Sequence, residues 1–371
     1  MAEEQDYEAV MEAEKASTMK ETDKKCPQCG GTMDFDPATG GLHCPFCDFT
    51  MEIAASTDEN GSESAEELDF ESAELTGNCD WGVSQKTVTC KNCGAVSVYD
   101  ALEVASECPY CGSNQVMEAS DVNTLAPGGV VPFKVTPEQA EMSFTKWIKH
   151  KLFCPSKAKQ SAKADSFNGV YLPYWTFDAD TETEYTADFG RDRKVKRGDK
   201  EQIITDWYPT RGKYDHFFDD ELVCGSTRHD SSILGAILPF DGKDNKLYKP
   251  EYLAGFTAER YSIGLKDGWE RAKEILKSKL NSLISDKIRS ENRADKVRNL
   301  RTNTMYSNIK YKYLLMPIWL SSFEYKGKIY QFMVNGQSGK VGGHTPISAL
   351  RVAIAILIGI AIIVLLYYSL G

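Results

Sequence analysis

Two small β-rich zinc ribbons, an α+β middle domain with antiparallel sheet, and one C-terminal transmembrane helix make up the fold class that this sequence predicts. Three observations carry it: paired Cys-x-x-Cys brackets near the start, a charge-free apolar run near the end, and helical spacing that twice gives way to aromatic-rich alternation between them.

The brackets are Cys26 and Cys29 with Cys44 and Cys47, then Cys90 and Cys93 with Cys108 and Cys111. Fourteen residues separate the halves of each bracket, and the second bracket is the first moved by 64 positions. Four thiolates on two short knuckles suit a tetrahedral d¹⁰ ion, and the spacing fits the paired Cys-x-x-Cys zinc pattern to within one residue. The eight cysteines therefore predict two Zn²⁺ ions, both structural, because every coordination position is filled by protein. Cys29, Cys93 and Cys111 are each followed by glycine, which turns backbone N–H groups toward sulfur; Cys47, followed by Asp48, departs from this. Two disulfides per bracket, or a thioredoxin-like redox pair, are the competing readings, and the compartment inferred below disfavours them. His43 reads as a flanking residue, and Cys79, Cys154 and Cys224 read as small unpatterned thiols.

At the other end, Val352 to Tyr368 carries no charge, and Ile347 to Leu370 contains only Arg351. Some twenty apolar residues rising about 1.5 Å each cross a hydrocarbon core of about 30 Å, with Tyr367 and Tyr368 at the far interface. The segment 347–370 therefore reads as a transmembrane helix rather than a buried core helix, which would need a covering element. Lys340 and Arg351 precede it and no charge follows, so the positive-inside rule keeps the N-terminal bulk in the cytoplasm of a single-pass, tail-anchored protein of the cytoplasmic membrane. The acidic opening residues lack the apolar region of a signal peptide. A reducing cytosol keeps cysteines as thiols or metal ligands.

Between the ends, 1–25 is an acidic N-terminal segment, 26–50 the first ribbon and 86–115 the second. From Glu52 to Asp80 there are ten acids and no lysine or arginine, which predicts a flexible acidic linker over 51–85. An α+β domain with a weak internal duplication spans 127–345. Its first helix has Thr136, Pro137 and Gln139 as a capping box and an apolar face through Leu152, ending near Phe153; the strand from Tyr171 with Pro173-Tyr174-Trp175 follows. Its second helix carries Trp269, Ala272, Leu276, Leu280, Leu283 and Ile284, and the strand with Pro317-Ile318-Trp319 follows. Phe323–Tyr325, Ile329–Val334 and Lys340–Val341 predict later strands. The tryptophans of this body read as core and packing residues.

Two basic stretches stand against a net charge of −11: Arg191 to Lys200, predicted as a hairpin tip, and Arg271 to Arg301 along the second helix and its exit. Both read as solvated faces, with anionic lipid headgroups as the alternative partner for a bilayer-tethered body. Asp219-Asp220-Glu221 reads as a solvated run rather than a cation site. No Walker A loop, no Gly-x-Ser-x-Gly elbow and no His-Glu-x-x-His occur, and the five histidines are scattered, so the sequence points away from an enzyme.

Tandem ribbons, a Pro-x-Trp-bearing middle and a C-terminal span together resemble a bacterial family of TFIIB-type zinc-ribbon, tail-anchored membrane proteins found beside phage-shock-type and SPFH-type membrane-stress proteins. Similar chains are also labelled replication-restart helicases of the primosomal type on account of their paired Cys-x-x-Cys elements, a likeness that stops at the cysteines here. The resemblance implies a non-enzymatic membrane adaptor with a cytoplasmic or membrane-associated protein partner, acting in a membrane-stress response. A nucleic-acid-binding ribbon protein of replication or transcription is the alternative. The acidic linker and the net charge disfavour it.

Overall fold

The computed structural model describes residues 25–57, 61–72, 85–90, 96–100, 116–118, 125–161, 167–197 and 200–370. Strands β1 (Asp34–Asp36), β2 (Gly41–His43) and β3 (Thr50–Met51) form a small antiparallel sheet in that order. A twelve-stranded sheet takes up β4 (Leu68–Asp69), β5 (Gln85–Cys90), β6 (Val96–Asp100), β7 (Val116–Glu118), β8 (Gly129–Val130), β9 (Asn168–Arg197), β10 (Lys200–Cys224), β11 (Lys246–Leu247), β12 (Thr257–Glu259), β13 (Lys296–Tyr325), β14 (Lys328–Asn335) and β15 (Val341–Gly343). The helices are α1 (Pro137–Lys149), α2 (Ser156–Ser161), α3 (Ser231–Ile237), α4 (Leu265–Asn292) and α5 (Ala349–Leu370). The molecule is thus β-rich, with a mainly antiparallel sheet.

Two thirty-residue strands, β9 and β13, run antiparallel along most of their length and set the body's long axis. Where they cross the core, both faces are covered: every residue from Tyr171 to Ala179 and from Tyr311 to Ser321 is buried. Beyond Ala179 the pattern changes to alternation, with Thr181, Thr183, Tyr185 and Ala187 buried and Glu182, Glu184 and Thr186 exposed. That one-sided arm, completed by β10, is covered by α4. Ala272, Leu276, Leu280, Ile284 and Ile288 recur at four-residue steps on one helix face and join the same core cluster as Tyr185 and Ala187. The described part of the basic stretch, 191–197 and 200, lies where β9 and β10 pair near their shared end, and there Arg193 pairs with Asp206 at 2.6 Å.

The two helix–strand units exchange strand partners. Strand β8 precedes α1 and pairs in parallel with β13, which follows α4 (Val130 opposite Leu315), whereas β12 precedes α4 and pairs in parallel with β9, which follows α1 (Ala258 opposite Tyr171). The two tryptophans of the Pro-x-Trp motifs repeat this exchange. Trp175 Nε1 donates to Ile263 O at 2.9 Å, two residues before α4, and Trp319 Nε1 donates to Val135 O at 2.8 Å, two residues before α1. The Trp175 indole thus fastens the approach to α4 and the Trp319 indole the approach to α1, each satisfying a donor that would otherwise be costly at zero to three per cent exposure.

Two expectations change. The capping box at Thr136 and Gln139 is present, but α1 ends at Lys149 rather than near Phe153, and the chain turns before Pro155. The stretch expected to be a flexible linker is in part docked: Leu68–Asp69 pairs with Tyr311 and Lys310, Ala65 N donates to Asn245 Oδ1 at 2.7 Å, and Phe70 packs edge-on against Phe177. Its acids find cations on the body, Glu63 with Lys246 at 2.8 Å and Glu67 with Lys310 at 3.2 Å and Lys312 at 3.4 Å. Self-repulsion, the reason to expect a free chain, is relieved by those lysines.

Candidate metal centre

Both knuckles of the first bracket fold by one local rule. Cys26 N donates to Gly31 O at 2.7 Å and Gly30 N to Cys26 O at 2.8 Å; eighteen residues on, Cys44 N donates to Phe49 O at 2.8 Å and Asp48 N to Cys44 O at 3.0 Å. The rule requires a left-handed residue after the second cysteine of each knuckle. Gly30 takes φ 74° and Asp48 takes φ 59°, so the one position that lacks glycine adopts the glycine conformation all the same.

The knuckles bring four sulfurs together. The Sγ atoms of Cys26, Cys29, Cys44 and Cys47 all lie within 4.8 Å of one another, with Cys26 to Cys47 at 3.4 Å and Cys29 to Cys44 at 3.5 Å. A tetrahedron of radius about 2.3 Å has edges of about 3.8 Å, so the donor set fits one four-thiolate metal ion. Left to themselves the thiols resist joint ionisation. Burial pushes Cys26 up, but the backbone N–H groups of Cys29 and Gln28 and the neighbouring thiols draw it down to about 7. The Phe49 N–H favours the Cys47 thiolate, yet burial and the other three sulfurs push that thiol up to about 12. A divalent cation removes that repulsion. His43 points instead to Asp48, at 3.5 Å.

The ribbon is clamped to the body rather than hung on a tether. Phe35 N donates to Ala254 O at 3.0 Å, and its ring meets Tyr252 at 5.7 Å and Phe256 at 6.3 Å. Of the second bracket, Cys90 ends β5, and Cys93, Cys108 and Cys111 lie outside the described residues, as does Cys79. The backbone around that bracket joins the main sheet through β6, where Ser97 and Val98 pair with Glu259 and Ala258. Cys154 is buried and Cys224 half-buried, and burial pushes both thiols up, Cys224 to about 11.

Two acidic groups in the body are internal ion pairs. In the Asp219-Asp220-Glu221 run, Asp220 meets Lys312 at 2.7 Å and Glu221 meets Lys279 at 2.5 Å, at a bulge where Asp220 has φ 52°. Sequence reasoning missed the second. Glu259 has no exposed surface, and its carboxylate accepts from Ser226 Oγ at 2.5 Å, Arg228 Nη1 at 2.8 Å and His229 Nε2 at 2.8 Å. Burial pushes its carboxyl up, but these donors, His229 foremost, hold it below the usual range. Ser226 gives its proton straight to a carboxylate that solvent does not reach, and the network ties the segment after β10 to β12. Only the short segment Ser226 to His229 hinted at it in sequence.

At the C-terminus, α5 is long and apolar enough over Ala349–Tyr367 to cross a membrane, and none of that stretch is buried against the body. No protein-family profile and no solved structure matches the chain. It is 31% identical over 329 residues to the uncharacterized protein YdjG of Bacillus subtilis (strain 168), an alignment that covers 89% of this chain and 91% of that protein. At that identity and coverage, the chain belongs to the same family as YdjG.

Proposed function

We propose that the chain is a non-enzymatic adaptor, held in the cytoplasmic membrane by α5 with its bulk in the cytoplasm, that recruits a protein partner through its ribbons. One structural Zn²⁺ would sit on Cys26, Cys29, Cys44 and Cys47 and a second on Cys90, Cys93, Cys108 and Cys111. The observation that carries this reading is Phe46. It is 75% exposed on a metal-competent knuckle, its ring lying over Gly31, while Phe35 of the same ribbon is buried against the body. An exposed aromatic on a rigid, metal-held turn is the type of anchor that interfaces bury. Residues 26–47 contain no lysine or arginine, which makes this ribbon a poor phosphate track.

The test places a photo-crosslinking amino acid at position 46 of the full chain in its membrane. A discrete protein adduct in the membrane fraction, competed away by overproduced parent chain but not by a Phe46→Ser chain, is the expected result. Adducts to nucleic acid would favour the alternative ribbon function, and no adduct above that of a crosslinker on the exposed β9–β10 arm would sink the adaptor reading.

A further inference from the structure

The first turn of α5 is fastened to the body at one place. Ser348 N donates to Phe153 O at 2.9 Å, and Arg351 Nη1 donates to Leu152 O at 2.9 Å and to Cys154 O at 2.7 Å. The only charge of the apolar segment is thereby spent on the turn between α1 and α2. If α5 spans, that turn lies at the level where the bilayer begins.

The turn exposes apolar side chains beside lysines. Leu152 is 78% exposed and Phe153 44% exposed, next to the exposed Ile347 and Leu350 at the approach to α5. Around these apolar side chains are Lys146, Lys149, Lys151, Lys157 and Lys159, and no aspartate or glutamate occurs from Met142 to Gln160. In a chain of net charge −11 this is a local reversal of sign. Lys146, Lys149 and Lys157 are exposed. Lys151 lies over the Trp147 ring at 4.5 Å and Lys159 donates to Lys149 O at 2.7 Å.

We propose that the Leu152–Phe153 turn and its lysines form a docking surface for the anionic headgroups of the bilayer that α5 crosses, an inference that rests on the spanning reading of α5. Leu152 and Phe153 enter the acyl boundary, and the lysines meet lipid phosphates above it. Arg351 makes the contact stiff: with its guanidinium bonded to the turn, the body cannot swing freely about the membrane helix, and the ribbon is held in one orientation to the surface. The lipid contact falls at this turn, which Arg351 holds against the start of α5, and not at the basic β9–β10 tip.

The experiment uses the full chain reconstituted into vesicles of phosphatidylcholine alone or with about one third phosphatidylglycerol. A brief pulse of membrane-impermeant amine-acetylating reagent is read lysine by lysine by mass spectrometry, and flotation reports insertion. Lys146, Lys149 and Lys157 should label about fivefold more slowly in the anionic vesicles, the factor given by about 1 kcal/mol of attraction per lysine. The difference should collapse in about 1 M salt, and in a Leu152→Ser/Phe153→Ser chain that still floats. Lys194 and Lys196 serve as the reference and should label equally in both vesicles. Equal labelling of the turn in both vesicles, or protection at Lys194 and Lys196 instead, overturns the docking surface while leaving the span intact. Protein that fails to float overturns the spanning reading as well.

Discussion

Replacing Gly30 with alanine isolates what the left-handed knuckle position contributes to metal binding. A Cβ at residue 30 meets nothing within 4 Å, so the substitution is sterically free and its cost is the backbone strain at φ 74° alone. For an L-residue in this region that strain is about 1–2 kcal/mol. Because a four-thiolate ribbon folds with its metal, the strain should appear as a metal affinity about five- to thirtyfold weaker. Asp48 supplies the reciprocal test, since it already occupies the equivalent position at φ 59°. Asp48→Gly relieves strain and loses only an exposed contact to His43 at 3.5 Å, worth little, so it should bind as tightly as the parent or a few-fold more tightly. The assay challenges zinc-loaded full chain with graded chelator and pulse-alkylates the thiols, with the 26–47 peptide read by mass spectrometry so that the other bracket does not interfere. A Gly30→Ala midpoint within about twofold of the parent, while Cys29→Ser loses protection altogether, would refute the claim that knuckle geometry limits affinity.

Two further outcomes follow from the body and the tail. Burial, reinforced by the carboxylates of Glu67 and Asp220, pushes Asp178 up to about 6 from an ordinary 3.8, against the Asp220 N–H and Lys312 that favour its charge. The folded state therefore holds this proton longer than the unfolded state, so Asp178 favours folding below about pH 4 and that advantage is lost as pH rises through 6. Asp178→Asn keeps the acceptor for Asp220 N, at 2.6 Å, and its stability relative to the parent should rise between pH 4 and 6 and then level off. A difference in denaturant midpoint that does not vary with pH would count against this. Deleting 347–371 should yield carbonate-soluble protein, while the full chain resists alkaline carbonate and carries an N-terminal reporter in the cytoplasm; a carbonate-soluble full chain would remove the span.

Local chemistry was readable directly from the residues. Cysteine spacing dictates the two knuckles of the first ribbon, Thr136 to Gln139 dictate the start of α1, and the composition of 349–367 dictates a helix that can enter lipid, because each is decided by residues a turn or two apart. The hairpin of 191–200 and the turn at 326–327 were likewise set by short-range signals. What the tertiary structure alone decided depends on pairs far apart in the chain. Glu67 meets Lys310 and Lys312, and converts an acidic linker into a docked segment. Trp175 reaches the approach to α4 and Trp319 the approach to α1, and Asp220 and Glu221 find lysines on β13 and α4. Leu152, which helical periodicity assigned to the face of α1, instead joins Phe153 in an exposed turn whose carbonyls are taken some two hundred residues later, that of Leu152 by Arg351 and that of Phe153 by Ser348 N. Periodicity reports which residues share a face of one element; which charge or carbonyl will stand opposite that face is settled only when distant segments pack, since the energy of burying a polar group depends on the partner it meets there.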